Sequence, residues 1–311
     1  MEIDKIVIVT RRTRLEDSVR RFNTRQQAKF FVQSRGQSFD DYELEYANYS
    51  KAKEELFRLL PREIKIQEID RDFLPNFLFG PRDLVITLGQ DGLVVNTAKY
   101  LNGQKVVAVN PDPARFDGIL LPFQTQDIES ILTTLLNDKF SVKNITMGRI
   151  SLPDGQHLYA FNDFFIGPRS HTSALYTLHY KKAVERQISS GIIVSTPAGS
   201  TGWLSSLFNM AGGIASYSGN KAKVSQKQMS WEEKKLLFVV REPFKSKWSE
   251  INVVAGEIQP GRELILESHM PDSGVIFSDG VLTDFLEFNS GAVATVEIAE
   301  KTTDLVMRGK T

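Results

Sequence analysis

Leu84-Val-Ile-Thr-Leu-Gly89-Gln90-Asp91-Gly92-Leu93-Val-Val-Asn-Thr-Ala98 is the stretch on which the architecture turns. The continuous apolar run from Leu84 to Leu88 has the pattern of a strand buried on both faces. It stops at Gly89-Gln90-Asp91-Gly92, and helix-compatible residues follow. A strand, a glycine turn and a helix N-terminus together suit a phosphate. The glycines let the backbone approach closely, and the helix start offers free N–H groups and partial positive charge. A carboxylate in that turn, Asp91, repels such a ligand unless it holds a metal or takes a proton from a nucleophile. Asp-Gly is also an ordinary turn dipeptide and recurs at Asp117-Gly118, Asp154-Gly155 and Asp279-Gly280, so by itself it specifies nothing.

The flanking sequence supplies the sheet. Lys5–Thr10 and Lys105–Asn110 are further buried-strand runs, and Glu63–Ile69 alternates. Arg11–Arg35 is polar and basic and reads as one helix facing solvent on most sides. Phe39–Leu60 reads as a helix with Tyr42, Tyr46, Tyr49, Ala52, Leu56 and Leu60 inward, ended by Pro61. Strands alternating with helices predict a doubly wound parallel α/β sheet, with ligands at the carboxyl ends of its strands. No G-x-G-x-x-G follows a strand, so an ordinary dinucleotide fingerprint is absent.

The texture changes after Leu121. Thr125–Asn137 predicts an amphipathic helix capped by Thr125. Short strands follow at Ile145–Leu152, His157–Ile166, Leu175–Tyr180 and Gly191–Val194, and again from Glu263 to Ile298. The expectation is a mainly β, sandwich-like second domain over 123–299. The α/β domain would be 1–122, completed by 300–311. Tyr217–Trp231, rich in Ser, Lys and Gln, reads as a surface loop.

Lys+Arg and Asp+Glu each number 38, so no global charge draws the chain to nucleic acid or an anionic membrane. The absence of cysteine excludes disulfides, thiolate catalysis and cysteine–zinc sites. The four histidines show no metal-ligand spacing, and no side chain is assigned to a metal. No apolar run approaches the roughly 20 residues that span a bilayer. The N-terminus enters a strand-like run with no leader before it, so the expectation is a cytoplasmic protein.

Two further segments carry polar chemistry. Asn162-Asp163 sits amid aromatics, and an amide beside a carboxylate supplies donors and acceptors for a ribose diol or an amide. Ser195-Thr-Pro-Ala-Gly-Ser200-Thr201-Gly202-Trp203 follows a buried strand with four hydroxyls, two glycines and an aromatic ring. Taken in order, Gly89-Gln90-Asp91-Gly92-Leu93, Asn162-Asp163, the Ser195–Trp203 loop, Ala211-Gly212-Gly213 and Ser278-Asp279-Gly280 resemble the motifs of the NAD kinases. Thr13–Glu16, Asn110–Gly118 and Ser189-Ser190-Gly191 look most like the branch containing the mitochondrial enzymes of animals.

The resemblance implies transfer of the ATP γ-phosphoryl group, with Mg²⁺ or another divalent cation, to the 2′-hydroxyl of the adenosine ribose of NAD. Asp91 would be the base. Gly89, Gln90, Gly92 and Leu93 would face ATP. The arginines from Arg11 on read as a solvated helix face; because Arg11–Arg14 follow the carboxyl end of the first strand, Arg14 is also a candidate for the ATP phosphates. Asn162, Asp163, Ser190, Thr201, Gly202, Trp203 and Ser206 would hold NAD. A homodimer or homotetramer is implied. Two departures stand in the loop: Gln90 replaces a glycine and Leu93 a threonine. If the first position needs φ > 0, a Cβ there costs about 1–2 kcal/mol. The alternatives are a kinase of another alcohol (a sugar, lipid or nucleoside) and a weakly active NAD(P)-binding sensor.

Overall fold

The computed structural model describes residues 2–219, 224 and 228–308. Residues 220–223 and 225–227 of the expected Tyr217–Trp231 loop lie outside the described residues. The chain divides into two compact units, Met1–Lys143 with Asp304–Thr311, and Asn144–Thr303.

Unit 1 runs β1 (Lys5–Thr10), α1 (Arg14–Phe22), α2 (Arg25–Ser34), α3 (Phe39–Leu59), β2 (Lys65–Asp70), β3 (Asp83–Leu88), α4 (Asp91–Ala98), β4 (Lys105–Asn110), β5 (Phe123–Gln124) and α5 (Ile128–Leu136). Its strands pair in parallel in the order β2-β1-β3-β4, and Asp304 and Leu305 add alongside Lys105 and Val106 of β4. Alternation sends Ile6, Ile8, Leu84, Ile86, Leu88, Val107 and Val109 into a core with Tyr49 and Leu56 of α3 and Ile128 and Leu135 of α5. Val7, Val9, Val85 and Ala108 on the opposite face are also wholly buried. Burial on both faces is why these strands read as unbroken apolar runs.

Three expectations need correction here. The basic stretch is two helices: Asn23 ends α1 in the left-handed region at φ 65°, and the Thr24 hydroxyl caps α2. α5 begins after a 3₁₀ turn at Thr125–Asp127, where the Asp127 carboxylate, rather than Thr125, accepts from the Gln124 N–H. The divide between units falls beyond α5, not at 122, because Ile128, Ile131, Leu132 and Leu135 are buried in the unit 1 core. A fourth finding concerns α3. Its buried side includes Glu45 and leaves Tyr46 38% exposed, since Glu45 pairs with buried Arg11 and with Arg14.

Unit 2 is a β sandwich. Its elements are β6 (Ser141–Ser151, beginning in unit 1), β7 (His157–Ala160), β8 (Asp163–Pro168), β9 (Ala174–Tyr180), β10 (Ala183–Ser189), β11 (Ile192–Ser195), α6 (Trp203–Tyr217), β12 (Leu236–Val240), β13 (Ala255–Ile258), β14 (Leu264–Ser268), β15 (Gly274–Ser278), β16 (Phe285–Glu287) and β17 (Val293–Met307, ending in unit 1). One sheet runs β10-β9-β14-β17, and the other β13-β12-β11-β8-β15-β16, all antiparallel within the unit. Tyr176, Leu178 and Leu266 of the first meet Phe164, Ile166, Val194, Phe238 and Ile276 of the second in a shared core. Among the described residues no helix is long and apolar enough to cross a membrane.

Candidate active site

In unit 1 hydrogen bonds tie together the carboxyl ends of β1, β3 and β4. The Tyr49 hydroxyl donates to the Leu88 carbonyl and accepts from the Arg11 N–H, tying the end of β1 to the end of β3. The Gly89 N–H reaches the Val109 carbonyl of β4. The turn then opens into α4, and Asp91 is its first residue. The Asp91 Oδ1 accepts from the Leu120 N–H at 2.6 Å, while Oδ2 makes no hydrogen bond among the described residues. One oxygen therefore fixes the carboxylate and the other is available for chemistry.

Gln90 has φ −91° and ψ 171°, ordinary extended backbone. The left-handed strain foreseen for a Cβ at this position does not arise, and the Gln90 side chain is exposed. Leu93 is turned inward. It is 2% exposed, and a Cβ added to Gly89 would come within 2.7 Å of its Cδ2. The leucine thus fills the floor of the turn. Leu93→Thr, which places a threonine where the motif that the turn resembles has one, is expected to lower stability by about 2–3 kcal/mol, through a cavity and a hydroxyl in an apolar site. A urea titration reads this; an unmoved midpoint would mean that the side chain is not part of the core.

Arg14 does not stand free for a phosphate. It donates to Asp41 at 2.7 Å and to Glu45, and Asp41 also receives Arg115 at 2.6 Å. The hydrogen bonds from Arg115 and Arg14 hold the Asp41 carboxyl well below the usual carboxylate range. The Asn110 side chain closes the next turn, accepting from the Asp112 N–H and donating to the Phe116 carbonyl.

In unit 2 the strand expected over His157–Ile166 is broken. β7 ends at Ala160, and Phe161-Asn162 make a turn before β8. The cause is Asp279, whose carboxylate accepts from the N–H groups of Phe161 at 2.9 Å, Asn162 at 2.7 Å and Asp163 at 3.2 Å. Asp279 itself lies in the left-handed region at φ 54°, and its N–H donates to the Asp163 carbonyl. The same turn receives the hydroxyl-rich loop: the Thr196 N–H donates to the Asn162 carbonyl, and the Thr196 hydroxyl to that of Phe161. Gly199 lies so close that a Cβ would come within 2.0 Å of the Asn162 oxygen.

Asn162, Asp163 and the Ser195–Thr201 loop are thus brought together, and Thr201, Gly202 and Ser206 stay exposed on the outside of that loop and the start of α6. Ser190 is not brought to them. It sits at the far end of β11, roughly 16 Å of extended chain away, where its N–H donates to the Arg241 carbonyl. Asp279 was legible as a turn; its service to the Asn162 turn was not.

Burial, with the Asp279 charge second, raises the Asp163 carboxyl to about 7. Its ordinary value is about 3.9. The folded protein therefore keeps this proton through a window, about pH 4 to 7, in which the unfolded chain has lost it. Stability contributed here falls as pH rises through that window and levels off above it. Asp163→Asn mimics the neutral form. It is expected to melt with wild type at pH 4 and above it at pH 8; an equal gap at both pH values would contradict the assignment.

No protein-family model matches the chain. NAD kinase 1 of Trichormus variabilis is 27% identical over 138 residues, which cover 40% of this chain and 45% of that protein. The chain spans about half the length of the curated relatives it matches. Among solved structures, yeast NADH kinase complexed with NADH superposes with a TM-score of 0.59 at 13% identity, over 99% of this chain and 85% of that one. An NAD kinase from Archaeoglobus fulgidus in complex with ATP gives a TM-score of 0.55 at 16% identity, over 98% and 93%. The structural neighbours share the two-part fold.

Proposed function

We propose that this member of the NAD kinase family transfers the γ-phosphoryl group of ATP to the 2′-hydroxyl of the adenosine ribose of NAD, giving NADP. The observation that carries the reading is Asp91: a carboxylate on the first residue of α4, after a wholly buried parallel strand, with one oxygen pinned by the Leu120 N–H and the other uncommitted. That is the disposition of a base, which must be placed without being neutralised. In phosphoryl transfer most of the catalysis is positioning and charge neutralisation. Gly89 and Gly92 would let the turn approach phosphate oxygens, and the open side of Gly92, where nothing lies within 4 Å, supports this.

Asn162, Asp163, Thr201, Gly202, Trp203 and Ser206 are the proposed dinucleotide-binding residues. A protonated Asp163 would donate to a hydroxyl or ring nitrogen. The ordinary backbone of Gln90 supports an intact loop. Arg14, already bound to two carboxylates, is proposed to hold α1 against α3 and not to meet ATP.

Among the described residues no group of three or more acidic or histidine side chains is disposed to hold a metal. Mg²⁺ in such reactions is carried largely by the phosphates and water, so a divalent cation is proposed to arrive with ATP. A homo-oligomer and kinship with the mitochondrial-type branch are proposed on the sequence motifs.

The test is direct. The protein is incubated with ATP, Mg²⁺ and either NAD or NADH, and the phosphorylated product is measured with a dehydrogenase specific for it. Product formation is expected. None from ATP, other nucleoside triphosphates or polyphosphate would overturn the reading.

A further inference from the structure

One side of α3 is polar where it passes the carboxyl ends of the unit 1 strands. Asp41, Glu45, Asn48 and Tyr49 are three or four residues apart, and so lie together on the helix. Glu45 pairs with Arg11 and Arg14, and Tyr49 joins the ends of β1 and β3. Asp41 and Asn48 reach instead to the segment that follows β4. Two nitrogens of the Arg115 guanidinium meet the two oxygens of Asp41, at 2.6 and 3.2 Å. The Asn48 amide donates to the Asp112 carboxylate at 2.9 Å.

That segment, residues 111–122, is neither helix nor strand. Its own polar groups shape it. The N–H groups of Arg115 and Phe116 both donate to the Asp112 carbonyl, and the Asn110 side chain donates to that of Phe116. Gly118 takes φ 67°, and a Cβ there would come within 2.8 Å of the Asn110 amide nitrogen. Leu120 and Leu121 are buried at the far end. There the Leu120 N–H donates to the Asp91 carboxylate at 2.6 Å. Asp91 is therefore held by a loop, and the loop by α3. A carboxylate hung on a loop N–H is only as well placed as the loop, and loops open more readily than strands and helices. Among the ties to α3 the Arg115–Asp41 pair is the strongest in kind, since it is charge-assisted and two-pronged.

We propose that Arg115 and Asp41 are positioning residues for Asp91: their ion pair clamps the segment after β4 onto α3, so that the Leu120 N–H fixes the Asp91 carboxylate in its working orientation. The proposal rests on the kinase reading above, in which Asp91 is the base, and gives a task to two side chains which that reading does not use.

Arg115→Gln tests it. The variant leaves Asp41 paired with Arg14 and partly exposed, so no buried charge is stranded. The kcat for NADP formation is expected to fall about 10- to 100-fold, the cost of a small misplacement of a catalytic group, while KM for ATP and NAD changes little. Arg115→Lys, which keeps the charge without the planar fork, should recover part of the rate. The cycle with Asp91→Asn separates positioning from general support. A residue that acts through Asp91 has nothing left to position once the base is gone, so Arg115→Gln should cost at most about twofold in that background. A merely structural role would cost the same factor in both. Hydrogen exchange at the Leu120 amide, followed by NMR, needs no turnover. It should quicken about tenfold or more in Arg115→Gln, while amides of β1 and β3 keep wild-type rates. An unchanged kcat, or an equal loss in both backgrounds, would overturn the proposal. Unmoved Leu120 exchange would overturn it as well, and if wild type makes NADP the kinase reading then stands without the clamp. If wild type makes no NADP yet Leu120 exchange quickens, the clamp on Asp91 stands and the kinase reading falls.

Discussion

Asp91→Asn is expected to form NADP about 10²–10⁴ times more slowly than wild type, the usual contribution of a general base, while NAD binds as before. The substitution is clean for a structural reason. The oxygen that accepts from the Leu120 N–H at 2.6 Å survives in asparagine, so the turn keeps its shape and only the charge and basicity are lost. Asp91→Ala is the necessary companion. It also removes the acceptor of Leu120, and should add a stability loss of about 1–2 kcal/mol for the N–H left behind. If Asp91 were only a tether for the Leu120 segment, the order would invert: asparagine would be almost silent in turnover, and alanine would act through stability alone. Single-turnover rates with ATP and NAD, beside melting curves for both variants, separate the two. Asparagine turnover within a few-fold of wild type would remove Asp91 as the base.

How much of this was legible in the sequence depended on how local the causes were. β1, β3 and β4 announce themselves because every residue from Ile6 to Val9, Leu84 to Leu88 and Val106 to Val109 is buried, so no alternation blurs the run. The Asp91 turn follows from the glycines on either side of it. The break between α1 and α2 was readable in principle, since Asn tolerates the left-handed conformation and Thr caps helices, but the surrounding arginines hid it in one polar stretch. Glu45 was invisible for another reason: a burial rule puts the neighbouring Tyr46 inward, and only the fold shows that two arginines compensate Glu45. α6 was missed because Gly212-Gly213 interrupts its pattern and because Met210, Ile214 and Tyr217 stay exposed. The apolar row of Phe285, Phe277, Phe165, Ile193 and Val239 across β16, β15, β8, β11 and β12 joins residues from five separate strands, which no local pattern can align.

Asp279→Ala is expected to be the most damaging substitution in unit 2, lowering stability by about 3–4 kcal/mol and weakening NAD binding with it. Three backbone N–H groups, 116 to 118 residues earlier in the chain, point at this one carboxylate. Without it they have no other acceptor in the turn, and the turn is also the seat of Thr196 and Gly199. Collapse there displaces Asn162, Asp163 and the hydroxyl loop together. The backbone adds to the loss, since φ 54° suits aspartate and asparagine far better than alanine. Asp279→Asn separates these causes. It keeps the left-handed tolerance and one oxygen for the Asn162 and Asp163 N–H groups, but turns an amide toward the Phe161 N–H, so a loss nearer 1–2 kcal/mol is expected. Removing the Asp279 charge also relieves the smaller of the two causes that raise the Asp163 carboxyl, and leaves burial in place. In the asparagine variant the pH window over which stability falls should therefore narrow from its upper end without closing. Urea titrations at pH 5 and pH 8 measure both effects. Equal stability of Asp279→Ala and wild type would mean that the turn is held by its neighbours and that the carboxylate only decorates it.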